Sequence, residues 1–195
     1  MQPVPGLERR AGVVIPIRAF RSGKVRLADV LSSSERADLA EAMANRVVGA
    51  AGDLPLVIVS SAPEVREWAR ALDVDVIDDR DGGLDAAARA GLDHHRGHGR
   101  DRVIVAHADL PRAEPGSLEW FDRSEPGIVT IVPCHRDDGT PVMSIPTHAD
   151  SLFAYGPGSA RRHAARARAA GLAVRVVRNS SLAFDVDLPE DLATS

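Results

Sequence analysis

The feature that most constrains the fold of this chain is a series of six short apolar runs, separated by segments with helical periodicity. Successive residues within the runs are mostly apolar, as in strands that are covered on both faces. The runs are GVVIPI (12–17), LVIVS (56–60), VDVID (74–78), RVIVA (102–106), GIVTIVP (127–133) and AVRVV (173–177). Because strands and helices alternate, we predict an α/β fold with a mostly parallel sheet and helices on both faces.

Helical patterns fill the gaps between the first runs. Residues 35–51 carry apolar side chains at four-residue spacing, namely Leu39, Met43 and Val47. The sequence SAPE at 61–64 has the form of a capping box and predicts a helix start. Trp68 and Trp120 lie on amphipathic patterns, so we expect both to pack in the core or between helices.

Length and charge limit the class of protein. A chain of 195 residues suits one domain, so we expect residues 12–195 to form it and residues 1–11 to be a flexible leader. The net charge of -4 gives no attraction toward nucleic acid. No signal peptide and no membrane-spanning apolar run is evident, so we expect a cytoplasmic protein without a membrane partner. Cys134 is expected to be a buried thiol without a catalytic role.

A basic loop follows the first run. The sequence RAFRSGKVRL places Arg18, Arg21, Lys24 and Arg26 before the first helix, where they could neutralise a polyphosphate or form a solvated loop. One glycine precedes the lysine and a valine follows it, so the loop is not a GxxxxGK[ST] phosphate loop.

Aspartates follow the later runs. Asp109 stands in HADLP, directly after the fourth run, and could either bind a hard cation such as Mg²⁺ or cap the next helix. Asp185 and Asp187 are two residues apart in FDVDLPEDL, so in an extended segment both carboxylates face the same side. Like charges about 4 Å apart repel by roughly 4 kcal/mol at an effective dielectric near 20. We therefore favour a metal site there over a solvated edge strand.

Two glycine turns open helices. Gly82 and Gly83 could let a ligand approach the backbone closely. In YGPGSARRHAARA, Ser159 could cap a helix while the backbone N–H groups of Gly156 and Gly158 face an anion, although an ordinary capped helix fits equally. The charges that follow are Arg161, Arg162 and His163, which we expect to support such an anion.

Three histidines stand close together in the sequence at 94–98. His94, His95 and His98 could suggest zinc, but adjacent residues point apart on a helix. We therefore expect a solvated helix end.

Taken in order, KVRL, GGLDAA, HADLP, DDGTP, FAYGPGS, the histidine after it and FDVDLPEDL resemble the 2-phospho-L-lactate guanylyltransferase family of coenzyme F420 biosynthesis, whose bacterial members prefer phosphoenolpyruvate. The resemblance covers residues 12–193. It implies a three-layer α/β/α sandwich of the nucleotide-diphospho-sugar transferase (GT-A-like) type. It further implies transfer of GMP from GTP to a three-carbon phospho-acid with release of pyrophosphate, and coupling to the enzyme that passes the phospho-acid to a deazaflavin.

The resemblance also implies roles for residues. Lys24, Asp109 and Asp187 would be catalytic, and Mg²⁺ would be held by Asp109, Asp185 and Asp187. The nucleotide would be bound by Arg18, Lys24, Arg26, Gly83, Leu84 and Asp85. The acceptor acid would be bound by Thr140, Gly156 and Ser159.

Several positions depart from the family pattern. The family usually has asparagine where this chain has Asp85 and Pro141. Asp85 therefore adds a negative charge, and Pro141 removes a backbone donor. Lysine at Arg18, serine at Val25 and threonine at Leu188 are the other usual residues. Three alternatives therefore stay open: another base or acceptor such as 3-phosphoglycerate, a glycosyltransferase with a D-x-D motif, or a non-catalytic GTP-binding paralogue.

Overall fold

The computed structural model describes residues 11–78, 82–149 and 152–193, and its centre is a seven-stranded sheet. The strands are Gly12–Pro16 (β1), Leu56–Val59 (β2), Asp75–Ile77 (β3), Arg102–Ala106 (β4), Ile128–Val132 (β5), Val142–Pro146 (β6) and Ala173–Val176 (β7). Their order across the sheet is β3-β2-β1-β4-β6-β5-β7. The expected leader, apart from Ala11, lies outside the described residues.

The sheet is mostly parallel, as predicted. β1 pairs in parallel with β2 and β4, β2 with β3, and β5 with β7. β6 is antiparallel to both β4 and β5, and the sequence patterns did not predict it. Pro141 precedes the strand and Pro146 is its last residue, so neither proline interrupts the ladder.

Five α-helices accompany the strands in the described part of the chain: Ser33–Ala50 (α1), Pro63–Ala71 (α2), Gly83–Gly97 (α3), Ser159–Ala169 (α4) and Pro189–Leu192 (α5). Short 3₁₀ segments cover Val25–Leu27 and Ser117–Arg123. None of these helices is long and apolar enough to cross a bilayer.

The helices form two layers, one on each face of the sheet. Buried side chains of α1 and α2, such as Val47 and Val65, share one apolar core with Val13 and Ile15 of β1. Leu92 of α3, with other residues of α3 and α4, forms a second core on the opposite face. The three-layer α/β/α architecture is therefore confirmed.

Local details correct two sequence predictions. The SAPE capping box is wrong, because α2 begins one residue later, with Ala62 as N-cap, Pro63 in the first turn and no side-chain cap. Trp68 packs edge-on against Phe20 as expected, with ring centroids 5.2 Å apart. Trp120 is 50% exposed, because it lies in the 3₁₀ segment and not on a helix that faces the core.

α3 lies unusually close to β1. A Cβ atom on Gly12 would come within 2.2 Å of the His95 ring, and one on Gly91 within 2.3 Å of a Val14 methyl group. Nε2 of His95 also lies 2.9 Å from the carbonyl oxygen of Val13. The close approach of this helix to the strand therefore requires glycine at positions 12 and 91.

The strand order creates a crevice between β1 and β4. The chain passes from β1 outward to β2 and β3, then returns through α3 to β4 on the other side of β1. Ligands of such sheets bind beyond the carboxyl ends of the strands at this reversal. The loops after β1 and β4 meet there, and they carry Lys24 and Asp109.

Candidate active site

A lysine held between two aspartates is the focus of the site. Lys24 lies in the loop after β1, Asp109 follows β4, and Asp187 precedes α5. Nζ of Lys24 is 2.5 Å from Oδ2 of Asp109 and 3.2 Å from Oδ1 of Asp187. The Lys24 backbone is left-handed, with φ 53° and ψ 38°, which is uncommon for a residue with a side chain. The fold thus brings together three residues that sequence reasoning singled out.

The ion pairs outweigh burial in this region. Burial alone would lower the pKa of Lys24, but the carboxylates of Asp109 and Asp187 raise that pKa above its usual value. Burial alone would raise the pKa of Asp109, but Lys24 and His107 hold that pKa below its usual value. Lys24 and Asp109 are therefore both charged at neutral pH.

Asp185 completes a group that we call the carboxylate centre, formed by Lys24, Asp109, Asp185 and Asp187. Burial and the negative charges of Asp109 and Asp187 raise the pKa of Asp185. Nδ1 of His135 lies 3.2 Å from Oδ1 of Asp185, but without the alignment of a hydrogen bond. The centre contains three acids and one lysine, so it has an excess of negative charge.

The carboxylate centre suits a hard cation. Within the described ranges, no three acidic, imidazole or thiol groups are arranged as a ready metal site, and the ammonium of Lys24 bridges two of the acids instead. However, Oδ1 of Asp109 and Oδ1 of Asp185 are buried without hydrogen-bond donors. Buried carboxylate oxygens with open lone pairs, beside excess negative charge, are the oxygen ligands that Mg²⁺ takes. The residues therefore fit the predicted metal.

Asp191 holds the segment that carries Asp185 and Asp187. Its Oδ2 accepts hydrogen bonds from the backbone N–H groups of Asp187 and Leu188 at 2.8 and 2.7 Å. Its Oδ1 lies 2.6 Å from the guanidinium of Arg136. Sequence reasoning missed Asp191, although a proline followed two residues later by an acid is a recognisable helix start. The segment itself lies outside the sheet.

A cavity of about 730 Å³ opens beside the carboxylate centre. It lies between the ends of β1 and β2 and the start of α3, and Arg18, Gly83 and Leu84 line it together with Ser22 and Ser61. A smaller cavity of about 280 Å³ shares Arg18 and Leu84 with it and reaches Lys24, Asp109 and Asp187. The predicted nucleotide-binding residues Arg18, Lys24, Gly83 and Leu84 thus face one continuous crevice.

Two other predicted nucleotide-binding residues lie differently. Arg26 is largely exposed, with Nη1 3.7 Å from Oδ2 of Asp187. Asp85 is not among the residues that line the large cavity; its Oδ1 accepts a hydrogen bond of 2.7 Å from the backbone N–H of Tyr155. Asp85 therefore joins the start of α3 to the loop before α4.

The predicted acceptor residues meet at the start of α4. Oγ1 of Thr140 and Oγ of Ser159 are 2.9 Å apart, and both residues are buried. Ser159 does not cap α4, because the N-cap is Gly158 without a side-chain bond. Gly156 is exposed in the turn before α4, where its φ of 107° requires glycine. The structure thus brings Thr140 and Ser159 together below the turn that contains Gly156.

Charges near this turn differ from those predicted. Oδ1 of Asp138 accepts a 2.6 Å hydrogen bond from the Gly158 N–H, so an internal carboxylate occupies that donor. Arg162 donates to the carbonyl oxygens of Ala154, Tyr155 and Pro157 and thereby braces the loop.

His163 is not a supporting charge. Burial lowers its pKa to about 4, so its ring is neutral at neutral pH. Nε2 of His163 accepts a hydrogen bond of 2.9 Å from the backbone N–H of Ala154, and Nδ1 lies 3.1 Å from Oγ1 of Thr140. We call Ala154, Thr140, Ser159 and His163 the histidine cluster. No periodicity in the sequence distinguishes this buried histidine from the exposed arginines beside it.

The remaining candidates have structural roles or none. His95 is buried under β1 and burial lowers its pKa to about 4, so a solvated helix end is wrong for it. The rings of His94 and His98 lie at the end of α3 with centroids 4.4 Å apart and planes inclined by 37°. Cys134 is buried as predicted, and its Sγ accepts a hydrogen bond from the Gly139 N–H at 3.0 Å.

The carbonyl group is the only backbone hydrogen-bonding group of Pro141, and it has a partner. Its carbonyl oxygen accepts a 2.8 Å bond from the N–H of His107. This bond ties the loop after β4 to the loop before β6.

Comparison with solved structures defines the fold class. A Desulfovibrio desulfuricans protein described as a nucleotide-diphospho-sugar transferase has a TM-score of 0.74 at 17% identity, over 93% of this chain and 84% of that one. A nucleotidyl transferase from Methanothermobacter thermautotrophicus has a TM-score of 0.67 at 17% identity, over 95% of both chains. The chain therefore has the nucleotide-diphospho-sugar transferase fold.

Sequence comparison identifies the family within that class. The chain belongs to the family described as "Guanylyl transferase CofC like", whose pattern matches residues 11–194. Phosphoenolpyruvate guanylyltransferase of Conexibacter woesei is 32% identical, over 92% of this chain and 84% of that protein. The 2-phospho-L-lactate guanylyltransferase of M. thermautotrophicus is 34% identical, over 92% and 81%. The 3-phospho-D-glycerate guanylyltransferase of Phenylobacterium zucineum is 30% identical, over 93% and 87%. This protein is thus a nucleotidyltransferase of the guanylyltransferase type.

Proposed function

We propose that this enzyme transfers GMP from GTP to a three-carbon phospho-acid, with phosphoenolpyruvate as the first candidate and 2-phospho-L-lactate as the second, and releases pyrophosphate. The observation that carries the proposal is the carboxylate centre beside the large cavity. Lys24 bridges Asp109 and Asp187 at the reversal of strand order, with Arg18 in the adjacent crevice. Such a site can bring two polyanions together without a protein nucleophile.

The reaction is an in-line displacement at phosphorus. A phosphate oxygen of the acceptor forms a bond to the α-phosphorus of GTP, while the bond from that phosphorus to the departing pyrophosphate oxygen breaks. Lys24, Arg18 and Arg26 would bind the triphosphate, and Lys24 would stabilise the charge that develops on pyrophosphate. Gly83 and Leu84 would border the nucleoside.

Mg²⁺ is the proposed metal. Asp109, Asp185 and Asp187 would hold it, and when bound it neutralises phosphate charge at the reacting centre. The two buried carboxylate oxygens without donors support this assignment.

The acceptor would bind at the histidine cluster. Thr140, Ser159 and the turn at Gly156 offer hydroxyl and backbone groups to the oxygens of a phospho-acid. The names of the relatives cover three acids, namely phosphoenolpyruvate, 2-phospho-L-lactate and 3-phospho-D-glycerate. Phosphoenolpyruvate is the first candidate, as in the name of the Conexibacter woesei relative. The product would enter coenzyme F420 biosynthesis through the deazaflavin phospho-acid transferase.

A pyrophosphate-release assay tests the proposal. The protein is incubated with Mg²⁺, each nucleoside triphosphate and each of the three phospho-acids. We expect release only with GTP and fastest with phosphoenolpyruvate. Asp109→Asn should abolish the signal, whereas Asp101→Asn, at an exposed aspartate, should leave it unchanged. Faster release with another base or acid would reassign the substrate, and GTP binding without any release would instead indicate a non-catalytic GTP-binding protein.

A further inference from the structure

The histidine cluster contains a chain of hydrogen bonds whose directions can be worked out. A backbone N–H can only donate, so the 2.9 Å contact from Ala154 makes Nε2 of His163 an acceptor. The ring is neutral, so its single proton is on Nδ1. Nδ1–H therefore donates to Oγ1 of Thr140, which lies 3.1 Å away.

This direction constrains the two hydroxyl groups. Oγ1 of Thr140 receives the histidine proton and lies 2.9 Å from Oγ of Ser159. One hydroxyl hydrogen is used in the bond between Thr140 and Ser159. The other hydroxyl hydrogen has no acceptor among the residues that the structure describes. A spare donor in a buried position suits an anionic oxygen.

His163 also joins two separate loops. Thr140 lies in the loop between β5 and β6, and Ala154 lies in the loop before α4, next to Tyr155 whose N–H is bound by Asp85. The His163 ring lies 4.8 Å from the Tyr155 ring, edge to face. One side chain thus fixes both halves of the proposed acceptor site.

We propose that His163 is a positioning residue for the acceptor: as the Nδ1–H tautomer it joins the two loops and orients Thr140 and Ser159, so that one hydroxyl hydrogen is left for an oxygen of the phospho-acid. This inference rests on the proposed function. It assigns a role to a side chain that touches neither nucleotide nor metal residues. It also explains why a neutral histidine stands among arginines.

Substitutions can separate this role from simple packing. His163→Asn retains an amide donor near the position of Nδ1, whereas His163→Phe fills the space without any hydrogen bond. His148→Asn changes an exposed histidine and is the control. For each variant, the KM for acceptor, the KM for GTP and kcat are measured with the best acceptor found for the wild type.

We expect His163→Phe to raise the KM for the acceptor on the order of tenfold, as expected for loss of one hydrogen bond to a charged group, and to leave the KM for GTP unchanged. His163→Asn should recover most of the loss. Equal defects in both His163 variants, or an equal rise in both KM values, would overturn the positioning role.

A second measurement does not depend on turnover. Phosphoenolpyruvate should raise the Tm of the wild type and of His163→Asn, but not of His163→Phe. If the wild type binds the acid without releasing pyrophosphate, only the proposed function fails, and the Tm shifts still decide the role of His163. If the wild type shows neither turnover nor a Tm shift with any of the three acids, both are overturned.

Discussion

The carboxylate centre and the histidine cluster lie at the same edge of the sheet but are built in opposite ways. The first is charged and half-open, with two carboxylate oxygens that lack donors. The second is neutral and buried, with hydrogen bonds of defined direction. The cation and triphosphate proposed for the first site call for unsatisfied charge, whereas the small acid proposed for the second calls for donors that are fixed beforehand. The difference gives each region its own sensitivity to substitution.

Removal of Lys24 should have the largest effect. Lys24→Ala leaves Asp109 without its counter-charge, so we expect pyrophosphate release to fall on the order of 1,000-fold. The free energy of unfolding should fall by about 2 kcal/mol, less than for a fully buried pair because the Asp109 side chain is 24% exposed. Steady-state kinetics and urea unfolding measure the two effects. Normal turnover in Lys24→Ala would show that Lys24 has no part in the reaction.

Asp187→Asn should separate catalysis from folding. We expect turnover to fall about 100-fold, since one ligand of the proposed Mg²⁺ is weakened. The unfolding free energy should change by about 1 kcal/mol or less, because the Asp187 side chain is 42% exposed and Lys24 still has its ion pair with Asp109. Asp29→Asn, at an exposed carboxylate, serves as the control. Full activity of Asp187→Asn at all Mg²⁺ concentrations would disprove the metal assignment.

As the pH falls, the stabilising contribution of the two neutral histidines should be lost before that of Asp109. The pKa values of His95 and His163 are lowered from 6.5 to about 4 by burial, so the unfolded chain binds more protons between these values. Their contribution is complete above pH 6.5 and is lost as the pH falls toward 4, by on the order of 2 kcal/mol each at pH 5. Asp109 has a lowered pKa, so its contribution is lost only below its ordinary value of 3.8.

Urea unfolding at pH 7.5 and 5.0 measures this loss of stability. His163→Asn should reduce the difference between the two pH values, while His148→Asn, at an exposed histidine, should not. An identical pH dependence in wild type and His163→Asn would mean that His163 does not titrate as described.

Asp85→Asn should have the smallest effect. An asparagine oxygen can still accept the hydrogen bond from Tyr155, so we expect stability to change by about 0.5 kcal/mol or less. Asp85→Ala removes the hydrogen-bond acceptor for the Tyr155 N–H and should lower the free energy of unfolding by about 1 kcal/mol. It should also raise the KM for the phospho-acid. Thermal unfolding and kinetics compare the two variants, and a large change in the KM for GTP alone would place Asp85 at the nucleotide instead.

The sequence predicts the parts that depend on periodicity. Buried parallel strands are apolar on successive residues, so six strands could be located, and Asp185 and Asp187 follow from two-residue spacing in an extended segment. β6 has prolines at both ends and a buried Ser144, so its pattern resembles a loop. Its pairing with β4 and β5 is a tertiary property.

Contacts between distant residues could not be predicted. His163 bonds a threonine 23 residues away. Nothing in the neighbouring sequence distinguishes this histidine from exposed residues, because burial of a polar side chain depends on which partners the fold supplies.

Pro141 has a consequence for conformational entropy. Its carbonyl accepts the bond from His107, and this bond needs no N–H from the proline. A proline restricts φ in the unfolded chain as well as in the folded one, and so lowers the entropy lost when its neighbour is ordered. Thr140 is that neighbour, and its hydroxyl faces His163 and Ser159. The proline thus makes the chain next to the hydroxyl pair stiffer in advance, which would reduce the ordering cost of binding the proposed acceptor.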